Sequence, residues 1–267
     1  MSIPILTYHA VEREPGEHDR LPPNKALYLI KRDLFEAQMK YLAERRTNTL
    51  LIDDLVSMKK EEPSGLSGNV VCLTFDDGNA SDYSVVYPIL KQYGLKATFF
   101  VVTNSIGSAG YVSWDQLKEM SLAGMSIQSH THTHPFLSQC TDAMVREEFA
   151  VSKAMIEERL SKAVTILAAP GGDWNGRFRP IVEECGYEAV CTSKQGVNSS
   201  LIDRYSLERL SIRRGDSLQK FTKLIKLDRR ILFTHTLYDR SLNFARRLLG
   251  IDQYNTVRAW LLRHRRP

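Results

Sequence analysis

Short apolar runs rich in β-branched residues alternate along the chain with longer stretches of three- and four-residue hydrophobic spacing. Alternation of buried strands with covering helices is the pattern of a mainly parallel sheet or barrel. Strands are expected at Ile3–Tyr8, Val70–Phe75, Ala97–Val102, Met125–Ser129, Val164–Ala168, Glu188–Thr192, Leu207–Ile212 and Ile231–Thr234. Helices are expected over Asp33–Ala43, Tyr83–Tyr93, Trp114–Leu122, Asp142–Leu160, Arg179–Cys185 and Ser217–Lys226. The longest repeats Val145, Phe149, Ile156 and Leu160 on one face, with Glu147, Glu148, Glu157, Glu158 and Arg159 turned mostly to water. Residues 10–32 and Lys59–Ser67 read as exposed loops, and 237–267 as a basic, helical tail. With no repeat, linker or composition break, the chain reads as one α/β domain of (β/α) barrel type over residues 1–267, with its motifs within about 70–236.

Composition adds limits rather than direction. The 267 residues are 43% hydrophobic and 25% charged, ordinary for a globular protein. Their 36 Lys and Arg against 31 Asp and Glu leave a charge of +5, too small and dispersed to indicate nucleic acid. The cysteines, Cys72, Cys140, Cys185 and Cys191, lack zinc-knuckle spacing and are too few for a disulfide framework. No run approaches the ~18 apolar residues that span a bilayer. The opening MSIPILTYHAV lacks the cationic start and apolar stretch of a secretory signal, so a cytoplasmic address is expected.

Polar residues gather just past the carboxyl ends of the predicted strands, where parallel α/β folds place their chemistry. Tyr8-His9, Asp76-Asp77-Gly78, the histidines from His130 to His134, Pro170-Gly171-Gly172-Asp173 and Thr234-His235 each close or follow a strand candidate. Side-chain alternation sends Asp76 and Asp77 apart, so that one can hold a cation while the other faces what that cation activates. An Asp-Gly turn with two solvated acids is the bland alternative. Three of the seven histidines lie within five residues, and His130 and His134 meet one ion if the chain turns helically there, with His132 pointing elsewhere. Two imidazoles and one carboxylate leave coordination positions open, as in a catalytic zinc site or a non-haem iron oxygenase. The adjoining acid favours hydrolysis, because activating a water needs a proton acceptor.

Thr74-Phe75-Asp76-Asp77-Gly78, His130-Thr131-His132-Thr133-His134, Ala168-Ala169-Pro170-Gly171-Gly172 and Leu232-Phe233-Thr234-His235, in that order, resemble the motifs of the polysaccharide deacetylases, the NodB-homology enzymes of carbohydrate esterase family 4. Pro4-Ile5-Leu6-Thr7-Tyr8-His9 resembles the opening of the poly-N-acetylglucosamine deacetylase branch. The resemblance implies a distorted (β/α) barrel and a divalent ion, Zn2+ by preference, held by Asp77, His130 and His134. It implies Asp76 as general base, the Gly171 amide as oxyanion donor, His235 as acid toward the leaving amine, and Leu232 against the acetyl methyl. Trp174, just after the glycines, is a candidate for stacking on a sugar ring.

One position departs from that family pattern. The arginine that usually opens the third motif and orients the catalytic aspartate is Ala168 here, leaving Arg209 and Arg213 as candidate substitutes. The expected function is removal of N-acetyl groups from an N-acetylhexosamine glycan, including a lipid-linked one. An O-acetyl esterase, a non-carbohydrate amidase or a non-catalytic glycan-binding homologue stays open. The basic tail, with Arg258, Trp260 and Arg263, reads as a packed final helix or as a weak contact to a membrane surface.

Overall fold

The strand-forming runs meet in one curled, parallel sheet. The computed structural model describes residues 2–58, 69–198, 203–234, 236, 237 and 257. Strand β1 (Ile5–Tyr8) leads into β2 (Ala10–Val11), helix α1 (Pro23–Ala26) and β3 (Leu29–Ile30). Then come α2 (Arg32–Glu44), β4 (Asn48–Leu50), α3 (Ile52–Ser57) and β5 (Val70–Asp77). Helix α4 (Tyr87–Gln92), β6 (Thr98–Val101), α5 (Trp114–Leu122), β7 (Ser126–Ser129) and α6 (Asp142–Leu160) follow. The remainder comprises β8 (Ile166–Ala168), α7 (Arg179–Glu184), β9 (Ala189–Cys191), β10 (Leu210–Ser211) and α8 (Leu218–Ile225).

Seven strands run in the order β10-β1-β5-β6-β7-β8-β9, with β4 pairing with β5 as the eighth, and every pairing is parallel. A further parallel bridge from Cys191 to Leu207 draws β9 toward the segment entering β10, so the sheet curls into a half-barrel walled by helices. Its carboxyl ends share one rim. Alternation sorts the side chains into two cores. On β5, Val71, Leu73 and Phe75 face the helices, whereas Cys72 packs inside the curl with Ile5, Phe100, Ala168 and Cys191. Tyr8, Phe75 and Phe99 stack across three neighbouring strands, with centroids 5.1 and 5.0 Å apart.

Caps delimit the covering helices. Ser113 and Gln116 form a reciprocal capping box on α5, Thr141 caps α6 through the Met144 amide, and Ser217 caps α8 through that of Lys220. These satisfy amide groups that the first turn of a helix leaves unpaired.

Three expectations are corrected. Residues 10–32 are not a plain exposed loop: β2 and β3 pair in a second, two-stranded sheet and bury Val11, Leu29 and Ile30. Such two-residue strands are too short to show a period. The run Ile231–Thr234 is helical, within 229–234, because Asp228 Oδ1 accepts the Arg230 and Ile231 amides at 3.0 and 3.2 Å and starts a turn there. Tyr8 faces the helix layer, its hydroxyl donating to Gln38 Oε1 at 2.9 Å, rather than lining the rim. The loop expected at Lys59–Ser67 and the tail beyond Leu237, Val257 apart, lie outside the described residues.

Phe75 is the centre of the aromatic stack, so Phe75→Ala is expected to cost about 3–5 kcal/mol and Phe75→Leu under about half of that. Urea unfolding checks this, and an equal, small loss for both variants contradicts the packing described.

Candidate active site

The rim is built from the ends of β5, β7, β8 and β10. Asp76 continues the inward-facing alternation of β5 beyond Cys72 and Thr74, and is 3% exposed. Arg209, from the residue before β10, is 1% exposed and meets it as a fork: Nη1 donates to Oδ1 at 2.8 Å and Nη2 to Oδ2 at 2.7 Å. The guanidinium is itself held by the Thr192 carbonyl, which accepts Nε at 2.9 Å, and by Thr74 Oγ1 at 3.3 Å. Burial alone raises the Asp76 pKa. The Arg209 charge, then His130 and the Arg209 hydrogen bonds, outweigh it and bring the carboxyl down to about 2. Of the two candidate cations for the place vacated at Ala168, Arg209 is the one that meets Asp76.

At Asp77 the backbone leaves the extended region, with φ 83°. Alternation ends there, and Asp77 Oδ1 lies 3.5 Å from His130 Nε2 and 3.6 Å from His134 Nε2. One donor atom from each of the three residues falls within 4.8 Å of the others. Two donors ~2.1 Å from one ion at a tetrahedral angle stand roughly 3.4 Å apart, so the set is suited to a divalent ion. His130 Nδ1 is within 2.8 Å of the Ala168 carbonyl, the arrangement that leaves Nε2 as the lone-pair nitrogen of a neutral ring. Burial is the largest cause lowering the His130 pKa to about 4, opposed by Asp76 and Asp77, so that ring is neutral at pH 7.

The histidine segment does not turn helically. Thr131 and His134 both adopt positive φ, 67° and 63°, folding the chain back so that both rings approach Asp77 with centroids 4.8 Å apart. Side chains hold this shape: the Ser129 hydroxyl accepts the Thr131 amide, and the Thr131 hydroxyl accepts that of His134. Glu148, expected in water, instead accepts the His132 and Thr133 amides at 2.8 Å each and the Thr133 hydroxyl at 2.5 Å. His132 does point elsewhere, toward Thr103 Oγ1 at 2.8 Å.

The other expected residues are less concentrated. Gly171 has φ 57°, and a Cβ there would lie 3.2 Å from the Phe136 ring; its amide makes no hydrogen bond to the described residues. Trp174 is half-buried against Phe178, centroids 5.8 Å apart. Leu232 is half-buried against the main core from a helical turn, not from a strand end, and His235 lies outside the described residues.

A family model described as "Polysaccharide deacetylase" matches residues 64–190. YxkH of Bacillus subtilis (strain 168), which carries a polysaccharide deacetylase name, is 33% identical over 224 residues, 84% of this chain and 76% of its own. The solved structure of Streptococcus pyogenes deacetylase PplD in complex with acetate superposes with a TM-score of 0.77 at 30% identity, covering 84% of this chain and 98% of that one. The chain belongs to the polysaccharide deacetylase family. Poly-beta-1,6-N-acetyl-D-glucosamine N-deacetylase of Staphylococcus aureus (strain MRSA252) is 26% identical over 74% of this chain and 71% of its own.

One acid of this deacetylase is not marked by any motif in the sequence. Asp82 opens a wide, π-type helical turn, Asp82–Val86, just beyond the aspartate pair. It is 1% exposed, and neither carboxylate oxygen has a hydrogen-bond partner among the described residues. Burial first, then the charges of Asp77 and Asp76, raise its pKa well above the usual carboxylate value, against a smaller lowering by the Asn79 backbone.

Two stability predictions follow from these acids. Arg209→Met strands a buried carboxylate and is expected to cost about 3–5 kcal/mol, part of which Asp76→Asn restores in the double variant; additive losses in urea unfolding contradict the pairing. A folded carboxyl pKa raised above its unfolded value means that stability falls as pH rises from about 4. Asp82→Asn removes that dependence, so its melting temperature relative to wild type is expected to climb between pH 4 and pH 8. A difference independent of pH contradicts a raised Asp82 pKa.

Proposed function

We propose that the protein hydrolyses the N-acetyl group of an N-acetylhexosamine residue in a glycan, releasing acetate and a free amino sugar. Asp77, His130 and His134 are the residues that would hold a divalent ion, zinc by the chemistry of the donor set. When bound, such an ion supplies Lewis acidity toward the acetamide carbonyl and acidifies a water. Asp76 takes the proton of the attacking water as its oxygen adds to the carbonyl carbon. The acid is ionised across the working pH range because Arg209 faces it, and each oxygen keeps a lone pair beyond the one Arg209 occupies. Arg209 also fixes the direction in which that acceptor points. The Gly171 amide, unused within the described chain, is assigned to the oxyanion. As the C–N bond breaks, His235 delivers a proton to the departing nitrogen.

The observation that carries this reading is the convergence of three ligand-type donors beside an ionised, immobilised acid on the rim of the curled sheet. The names of the relatives support the substrate class: one is a poly-β-1,6-N-acetylglucosamine N-deacetylase, and the solved deacetylase PplD holds acetate. Trp174 is assigned to stack on a sugar ring and Leu232 to line the acetyl-methyl pocket, each from a position half-buried against the core. The basic tail remains a proposed weak contact to an anionic membrane surface carrying a lipid-linked substrate.

Acetate release from N-acetylglucosamine oligomers is the direct assay. Asp76→Asn is expected to lower kcat by about 10²–10⁴ while a stoichiometric metal ion stays bound. Dialysis against a chelator is expected to abolish turnover in wild type, and added Zn2+ to restore it. Substantial turnover in Asp76→Asn, or indifference to chelation, contradicts the assignment.

A further inference from the structure

Two consecutive glycines carry the amide assigned to the oxyanion, and their own covalent structure does not keep it in place. Gly171 and Gly172 both take positive φ, 57° and 66°, in a region that glycine enters and leaves freely. The turn closes on itself, the Gly172 amide donating to the Ala169 carbonyl and the Asp173 amide to that of Pro170, 3.0 Å each. Neither bond reaches the segment that carries the histidines.

Asp173 supplies that link. Its Oδ2 accepts both the amide and the hydroxyl of Ser138, at 2.7 Å each. Ser138 lies in the short turn Leu137–Gln139, just beyond His134, and Leu137 anchors that turn by full burial. Phe136 opens the same turn and stands against the glycines: a Cβ on Gly171 would lie 3.2 Å from its ring. A second tie runs the same way, from Arg177 Nη2 to the Cys140 carbonyl at 2.7 Å. The segment that would donate to the oxyanion is thus fastened to the segment that carries a ligand-type histidine.

We infer that Asp173 is a positioning residue for the hydrolysis: by clasping Ser138 it fixes the Gly171 amide relative to His134. The oxyanion donor and the candidate metal site are thereby held as one unit. This rests on the deacetylase reading above, and it gives Asp173 no contact with the reacting atoms. Loss of one oxyanion donor costs about 10²–10³ in rate, and a misplacement of about 1 Å can cost up to about 10². A bond made only in the transition state acts on kcat and leaves KM in place.

The test begins with the metal-free protein, where amide exchange over residues 170–174 is expected to quicken in Asp173→Ala but not in Asp173→Asn. In the zinc-loaded protein, Asp173→Ala is expected to lower kcat for acetate release from N-acetylglucosamine oligomers about 10–100-fold. KM is expected to stay within about twofold of wild type, with one zinc ion still bound per chain. Asp173→Asn keeps the accepting oxygen without the charge and is expected to recover most of the loss. Ser138→Ala removes one of the two donors and is expected to lower kcat about threefold, which decides the matter should Asp173→Ala not fold. On N-trifluoroacetyl oligomers, whose oxyanion needs less stabilisation, the deficit of either Ala variant is expected to shrink. Unchanged kcat, an equal deficit on both acyl groups, or a loss that follows zinc occupancy overturns the inference while leaving deacetylation intact. Release of acetate from no oligomer by wild type sinks the deacetylase reading, and the inference falls with it.

Discussion

A buried aspartate that must stay ionised needs a cation it cannot lose, and the geometry of this rim is organised around that requirement. Taking two charges out of water costs several kcal/mol each, repaid only by close geometry and complete hydrogen bonding. The Asp76–Arg209 pair has a two-pronged contact, with Nε and Nη1 of the guanidinium also directed at Thr192 and Thr74. Arg209 also lies over the Phe100 ring, its Cζ 5.6 Å from the centroid. The pair is therefore a weak source of stability and a strong source of direction. It fixes where the Asp76 carboxylate sits relative to Asp77, one residue along the same strand.

The fold makes that adjacency possible. Parallel strands deliver their carboxyl ends to one rim, so β5, β7 and β8 bring Asp77, His130 and the carbonyl of Ala168 together from distant parts of the chain. Local backbone then departs from regularity where the chemistry lies. Asp77, Thr131 and His134 all adopt positive φ without being glycine, a conformation that costs energy and persists only where surrounding contacts enforce it. Glu148, reaching from α6 to the amides of His132 and Thr133, is one such contact. The long helix behind the sheet thus holds the histidine segment in shape.

Much of this is legible in the residues alone. The apolar run Val70–Phe75 ending in Asp76-Asp77 marks its strand, because burial on two faces and a polar stop leave a sharp contrast, and the cluster of histidines after Ser129 marks the second arm of the candidate site. The two-residue strands β2 and β3 carry no such mark, being shorter than any period. The run Ile231–Thr234 carries strand-like residues but follows an Asp cap, and the cap prevails. Arg209 can be nominated only beside Arg213, since its partner stands 133 positions away and no spacing rule links them. Nothing in the sequence marks Glu148 as more than a solvated helix residue, and the positive φ at Thr131 and His134 has no glycine to announce it.

A crystal structure of the wild-type protein loaded with zinc, with the ion located by its anomalous signal, decides the matter. One ion is expected within about 2.0–2.2 Å of Asp77 Oδ1, His130 Nε2 and His134 Nε2, with Asp76 still clasped by both terminal nitrogens of Arg209. An ion bound elsewhere, an ion that recruits Asp76 as a ligand, or a guanidinium swung away from Asp76 would contradict this arrangement.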